Sequence, residues 1–387
     1  MMRGSSAACL DGKKGVRQDR VLQSQGSRFD AGEHSYAYTR ACGIIGKSFI
    51  GKRISALASL RTISELDRLI FPERRSDLPG PELLADMETR IVKRAIKSIQ
   101  AVIKSYQSPP QALVRLLRSF EYSDLKTCLH YIAEGKKARP PISSLGSFGT
   151  IKFKHYPDLR LMLKGTEYDF LLSKPADKWL KGNADLALVE TGLDLRYYQL
   201  LIESLYELPA EERKVACMIL AEEISLRNCV WAFRLRMYFK KSEEETRKHL
   251  MNLTMRLFSE DARTMNIRKE PGMMEKEINL ASEAFDSLER PLDQHSAWQG
   301  WRWGKLLNPE TQERLWELDP RFFQNAASHY LYRLAYGHFR ADQFTVSAIY
   351  CFIKLKQFEE DLLTSISEGL SFGMTPAGVL DLLEVSL

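Results

Sequence analysis

From Tyr36 to the C-terminus, apolar residues return at the three- and four-residue spacing of an amphipathic helix, and stretches of β-branched residues in strict alternation are few. That periodicity predicts an all-α fold with little or no sheet. Glu82 to Tyr106 shows it clearly. Leu83, Leu84, Met87, Ile91, Val102 and Ile103 form one stripe, while Arg90, Lys93, Arg94, Lys97 and Lys104 fall on the other face. Pro81 sits in its first turn, and Pro109-Pro110 follows its end. A longer helix is predicted from Pro209 to Lys241. Glu211 and Glu212 stand at its positive end, and Lys240 and Lys241 at its negative end. Its span of roughly 45 to 50 Å suits an elongated bundle better than a compact globule.

The Pro140-Pro141 pair cannot continue a helix and marks a boundary between helical units. Beyond it, Ser143 to Leu163 is broken by Gly146, Gly149 and Pro157. Although Thr150-Ile151-Lys152-Phe153 alternates, the segment reads as an irregular connector. A cap-and-spacing pattern recurs at Ser64-Glu65-Leu66, Ser123-Asp124-Leu125 and Thr375-Pro376-Ala377, which suggests repeated helical units. The division expected is a flexible tail over 1–34 and lobes over 35–140, 141–290 (with the long helix 209–241) and 291–387. Met1 to Gly32 is punctuated by charge, Gly, Ser and Gln, and lacks the apolar stretch of roughly 7 to 15 residues that a signal peptide needs.

Composition excludes several classes. A chain of 387 residues with 44% hydrophobic and 27% charged residues is neither disordered nor fibrous, and its six scattered cysteines without a C-x-x-C pair read as reduced thiols. The longest charge-free run near the C-terminus, Gln343 to Ile353, has eleven residues, whereas a bilayer span needs about 20. The net charge of +6 is uneven. Residues 1–100 carry 18 Lys and Arg against 11 Asp and Glu, and the rest is close to neutral. One basic end on a neutral body suggests contact with an anionic partner or lipid surface and is too weak to argue for nucleic acid.

Catalytic signatures fail on spacing. Gly43-Ile44-Ile45-Gly46-Lys47-Ser48 ends like a phosphate loop, but Ala41 stands where the first glycine is required and the surroundings read as helix. The seven histidines form no closely spaced ligand pair, and no nucleophile elbow or dinucleotide fingerprint is present, so neither cofactor nor metal is expected. Trp298, Trp301, Trp303 and Trp316 with Phe322-Phe323 are expected to cement a helix junction. Asn228, among Leu226, Val230 and Phe233, is expected to find a buried partner and fix register.

Five segments carry a family resemblance: Tyr36 to Ala41, Leu117 to Leu125, Glu223 to Arg236, Asp319 to Ser328, and Phe352 to Leu362. With these the chain resembles the C-type stalk component of V-type and archaeal-type ATP synthases, the relative of the d-type component of the eukaryotic vacuolar ATPase, over nearly everything after Ser35. The resemblance implies three similar helical lobes forming a funnel on the cytoplasmic face of a membrane. It implies a non-catalytic central-stalk protein that joins the proteolipid rotor ring to the D and F components of the shaft and transmits torque for proton or sodium transport. No nucleic acid and no small-molecule substrate is implied as a partner. Arg90, Lys93, Arg94 and Lys97 are the candidate charged contact. The alternatives are a helical scaffold, or a nucleic-acid-binding module using the Arg90 to Lys104 face and the tryptophans, for which steep salt dependence of binding would speak.

Overall fold

A computed structural model describes residues 31–73, 78–173, 186–258, 275–310 and 315–382. Helices dominate them. In chain order they are α1 (Ala31–Ile45), α2 (Ser55–Ala58), α3 (Ile63–Ile70), α4 (Gly80–Ile103), α5 (Gln111–Leu117), α6 (Ser119–Ala133), α7 (Leu159–Leu163), α8 (Leu186–Tyr206), α9 (Ala210–Met237), α10 (Glu243–Lys248), α11 (Ser282–Leu288), α12 (Pro320–Ala341), α13 (Val346–Ser371) and α14 (Pro376–Leu382). The fold is all-α with one small hairpin, β1 (Thr254–Phe258) and β2 (Glu275–Asn279), paired antiparallel from Thr254↔Asn279 to Phe258↔Glu275.

Local chemistry sets the helix boundaries. Thr62 caps α3 by accepting from the Glu65 N–H (3.2 Å), and Glu65 returns a bond by accepting from the Arg61 N–H (2.7 Å). The expected cap at Ser64 is therefore corrected by two residues. Ser123 lies inside α6 and caps nothing, whereas Thr375 does cap α14, accepting from the Gly378 N–H at 3.1 Å. The three look-alike starts are thus not equivalent. Helix α9 stops short of Lys241 because Lys240 turns into the left-handed region at φ 49° and the Lys241 N–H folds back onto the Leu235 carbonyl (3.0 Å). Helix α1 begins at Ala31 and buries His34, whose Nδ1 lies 3.1 Å from the Tyr106 hydroxyl. Residues 31–34 therefore belong to the helical body, and the rest of the expected tail, 1–30, lies outside the described residues.

The connector after Pro141 has no strand. It consists of short 3-10 turns, Gly146–Phe148 and Phe153–His155, followed by α7. Buried Glu121 holds it by accepting from the Thr150 and Ile151 N–H groups, both at 2.6 Å, and from the Thr150 hydroxyl at 3.0 Å. Asp124 accepts from the Ser143 N–H at 2.8 Å. Gly149 leaves room for this arrangement, since a Cβ there would stand a tight 3.2 Å from a Glu121 carboxylate oxygen.

Buried apolar side chains form three cores, and four long helices each enter two of them. The largest core takes Ala95 to Ile103 of α4, Ala216 to Ile224 of α9, Ala335 and Phe339 of α12, and Val346 to Leu355 of α13. A second takes Leu226 to Phe233 of α9 and Phe323 and Ala327 of α12 around the tryptophans. The third gathers α2, α3 and α14 around Leu83 to Ile91 of α4 and Leu362 to Ile366 of α13. A continuous helix buried in two cores cannot hinge sharply between them without breaking its own backbone hydrogen bonds, so α4, α9, α12 and α13 act as beams between the cores.

Candidate functional site

Helices α9 and α13 start from a common joint and run in parallel. At the joint the Val346 N–H donates to Glu212 Oε2 (2.7 Å) and the Ser347 hydroxyl to the Glu212 carbonyl (2.5 Å). Further along, Lys354 Nζ meets Glu223 Oε2 at 2.6 Å. The Tyr198 hydroxyl of α8 donates to Glu223 Oε1 (3.1 Å) and accepts from Arg227 Nη1 (2.8 Å). Past this point the two helices part, and antiparallel α12 floors the gap. Arg234 bonds Gln324 near the start of α12, while Tyr332 stacks on Phe358 of α13 with ring centres 4.3 Å apart. The opening is a cavity of about 390 Å³ lined by Leu226, Val230, Arg234, Gln324, Leu331 and Asp361, among others. An adjoining space of about 150 Å³ shares Glu223, Leu331 and Asp361 with it.

The charges of this cleft are unevenly matched. Burial raises the Glu223 carboxyl, but Lys354 beside it, with Arg227 and Tyr198, outweighs burial and leaves it below the ordinary carboxylate range. Tyr198 first, and Asp194 and Glu223 with it, hold the Arg227 guanidinium protonated against the burial that opposes it. Asp361 differs. Its side chain opens onto the cleft, yet the mass of protein around it pushes its carboxyl up, against the pull of Arg227 and Lys354. The neighbouring Glu360 is raised as well, by burial and then by Asp361.

The basic face expected on α4 divides in two. Arg90 forms ion pairs with Asp67 and Asp86, both at 2.7 Å, and its guanidinium lies 4.4 Å from the centre of the Phe71 ring. Arg94 Nη1 donates to the Ile70 carbonyl (3.2 Å) and lies over Phe49. These two clamp α3 and the segment after α1 onto α4, which corrects the expectation of four outward charges. Lys93 and Lys97 are exposed. The clamp is the reason: Arg90 and Arg94, four residues apart on α4, lie within reach of α3, and each guanidinium finds a carboxylate or a carbonyl there.

Gly43 to Ser48 closes α1 and turns away from it. Its Ser48 hydroxyl donates to the Ile44 carbonyl (3.1 Å) and lies 3.1 Å from Lys356 Nζ. Lys356 and Glu359, each 2% exposed, pair with one another, and Glu359 Oε1 accepts from the Phe49 N–H at 2.7 Å. The loop-like motif thus serves as a tie between α1 and α13. The tryptophans are core: Trp298, Trp301, Trp303 and Trp316 are buried, and Phe233 packs edge-on to Trp298 at 5.5 Å and to Phe323 at 4.9 Å. Asn228 fixes register as expected. Its amide donates to the Met251 (3.0 Å) and Leu280 (3.2 Å) carbonyls and accepts from the Met251 N–H (2.9 Å), pinning both feet of the hairpin to α9. The histidines stay apart, and among the described residues no group of three or more His, Cys, Asp or Glu could hold a metal ion.

The cleft charges were not singled out by sequence reasoning, because Lys354 and Asp361 sit in a helix whose alternation of apolar and charged residues also marks a buried tie. The available signal was the Glu223/Arg227 pair, four residues apart on one face of a long helix.

The family model of the ATP synthase (C/AC39) subunit matches residues 74–379, which takes in residues of all three cores and the whole cleft. The chain belongs to this family. A relative from Treponema pallidum (strain Nichols), named only as an uncharacterized protein, is 25% identical over 340 residues, covering 87% of this chain and 92% of the relative. Membership in the C/AC39 family makes the chain a V-type ATP synthase subunit. Among the described residues no helix is long and apolar enough to cross a membrane.

Proposed function

We propose that this C/AC39 family member is the non-catalytic coupling piece of the central stalk, seated on the proteolipid ring at the cytoplasmic face and receiving the foot of the shaft formed by the D and F components. It carries torque between them for proton or sodium transport. The observation that carries this reading is the extent of the family match, from 74 to 379, over a body whose cores are joined by continuous helices. Torque transmission demands a part that does not hinge, and α4, α9, α12 and α13 each bind two cores together. Lys93 and Lys97 are the members of the α4 face available for a charged contact with one of the two partners.

Affinity purification of the chain from its native membranes tests the reading. Proteolipid and shaft proteins should accompany it in fixed ratio, and recovery of the chain alone or with unrelated proteins would reject it.

A further inference from the structure

A groove between α1 and α12 has a chemistry that the stalk reading leaves unused. It is a cavity of about 670 Å³ and shares no lining residue with the cleft between α9 and α13. The two helices run antiparallel here: Tyr38 packs against Phe339 with ring centres 5.2 Å apart, while the Gly51 N–H, beyond the end of α1, donates to the Tyr332 hydroxyl (2.9 Å). Tyr38, Ile45, Tyr336 and Phe339 give the groove its aromatic and apolar walls. Gly337 keeps it open, since a Cβ there would meet nothing within 4 Å. The walls are preset. Tyr38 is buried, and Phe344, held in the left-handed region at φ 62°, packs edge-on to it at 5.1 Å.

The charge of the groove has one sign. Arg340 is the charged side chain among its lining residues. It is exposed, its guanidinium lies 5.9 Å from the centre of the Tyr336 ring, and among the described residues it makes no side-chain hydrogen bond and no ion pair. From His34 to Ser64 the chain has no aspartate or glutamate, and α12 has none. Asp342, just past α12, is already bonded to His338 Nδ1 at 2.7 Å. The carbonyls that end the two helices are taken as well. Those of Cys42, Ile44 and Ile45 accept from the Gly46, Lys47 and Ser48 N–H groups, and those of His338 and Arg340 from the Asp342 N–H and the Gln343 amide. Burial first, and then the Cys42 thiol, push the Tyr38 hydroxyl up to about 12 against the pull of Arg340, so it stays a donor at neutral pH. The groove thus offers a guanidinium and a hydroxyl beside an apolar trough.

Cavities of this size, with aromatic and apolar walls and a few placed polar groups, are the kind that hold small molecules. A purely apolar ligand would leave Arg340 unmatched, and a bare anion would leave the rings in water, so the fitting ligand carries both parts. We propose that the groove between α1 and α12 binds a single-chain carboxylate amphiphile of the fatty-acid type, with its chain along Ile45, Tyr336 and Phe339 and its carboxylate on Arg340. Burial of apolar surface holds the chain, and charge-assisted hydrogen bonds from the guanidinium hold the head. One cation and one trough of this size take one head and one chain. The proposal holds whether or not the chain sits in a stalk.

The test uses the full chain carrying Cys9→Ser, so that Cys42, exposed on the groove, is the reactive thiol while Cys128, Cys217, Cys229 and Cys351 are buried. Alkylation of Cys42 by iodoacetamide is followed by mass spectrometry in the presence of decanoate, of decanol, or of phosphatidylglycerol vesicles. Decanoate at saturation should slow the reaction about tenfold or more, and decanol far less. Arg340→Gln should raise the decanoate concentration needed for half protection about tenfold or more and leave the response to decanol unchanged. Gly337→Leu fills the groove and should abolish protection, measured against its own ligand-free rate. Because it replaces a helical glycine by a better helix former, its melting temperature should be unchanged or higher, and its lost binding is then not a folding defect. No protection by decanoate, equal protection by decanol, or wild-type protection of Arg340→Gln would each overturn the inference. Protection by the vesicles alone would overturn it too, since the groove would then be part of a membrane-docking surface.

Discussion

Helix α13 carries two charged sites a few residues apart, and they are built on opposite plans. At Lys356 and Glu359 both charges are sealed in the core, paired with one another and bonded to Ser48 and the Phe49 N–H. At Asp361 the carboxyl opens onto a cleft and stays without a partner among the described residues. A closed pair is a statement about folding, because removing one member leaves the other's charge buried without its counter-ion. An open charge is a statement about assembly, because its chain does not need it to fold. The same division runs through α4, where Arg90 and Arg94 are spent on α3 and its flanks while Lys93 and Lys97 face water.

Removing one half of the closed pair should give the largest effect. Glu359→Ala leaves the Lys356 ammonium buried and uncompensated, a loss on the order of 3–5 kcal/mol. Urea unfolding of Glu359→Ala beside Lys356→Met/Glu359→Leu would check it. The double variant should recover most of the loss, since an apolar pair of similar size replaces an ion pair at little cost. If Glu359→Ala melts like wild type, the pair is not closed and the contrast with Asp361 disappears.

Asn228 sharpens the contrast from the neutral side. Its substitution by Ala strands the Met251 N–H and frees two carbonyls in a fully buried place, costing about 1–3 kcal/mol. Hydrogen exchange should show the hairpin strands losing protection before α9 does.

How much of this was legible beforehand differs by element. The all-α class, the long helices, the packed tryptophans and the buried role of Asn228 all follow from apolar periodicity, because burial of one face is what periodicity records. The hairpin did not show. Only Met255 of β1 is fully buried, β2 is mostly charged, and 16 residues separate the two strands, so neither alternation nor a tight turn betrays them. The pattern at Ser64 and Ser123 misled because serine tolerates a helix interior, and only the backbone geometry shows that Thr62 is a cap and Ser123 is not. The cleft was illegible for a stronger reason. Whether a charge on α13 is closed or open depends on what distant parts of the chain bring to it: Glu359 takes the Phe49 N–H from 310 residues away, and Lys354 meets Glu223 of α9.

A smaller effect concerns pH. Burial raises the Asp124 carboxyl from its ordinary 3.8 to about 7, against the opposing bond from the Ser143 N–H. The folded chain therefore holds that proton more tightly than the unfolded chain does. The stability contributed is full below about pH 4 and is lost as pH rises through 7. Thermal melts of wild type and Asp124→Asn across this window should diverge, with the variant showing the flatter pH dependence. Parallel curves would mean that Asp124 is no more buried in its proton balance than an open carboxylate.

Smallest for the fold is reversal of the open charges on α4. Lys93→Glu with Lys97→Glu should change stability by no more than about 0.5 kcal/mol while weakening assembly of the complex in a salt-sensitive way. A large loss of stability would move these lysines to the closed class, and assembly unchanged at every salt concentration would place the contact elsewhere.

The central claim is that the chain couples a rotor ring to a shaft. Reconstitution of the whole complex in vesicles with and without this chain tests it most directly, by following ATP hydrolysis and ion pumping together. Without the chain, hydrolysis should continue while pumping is lost, and adding it back in purified form should restore pumping. Pumping that proceeds equally well in its absence would contradict the coupling role.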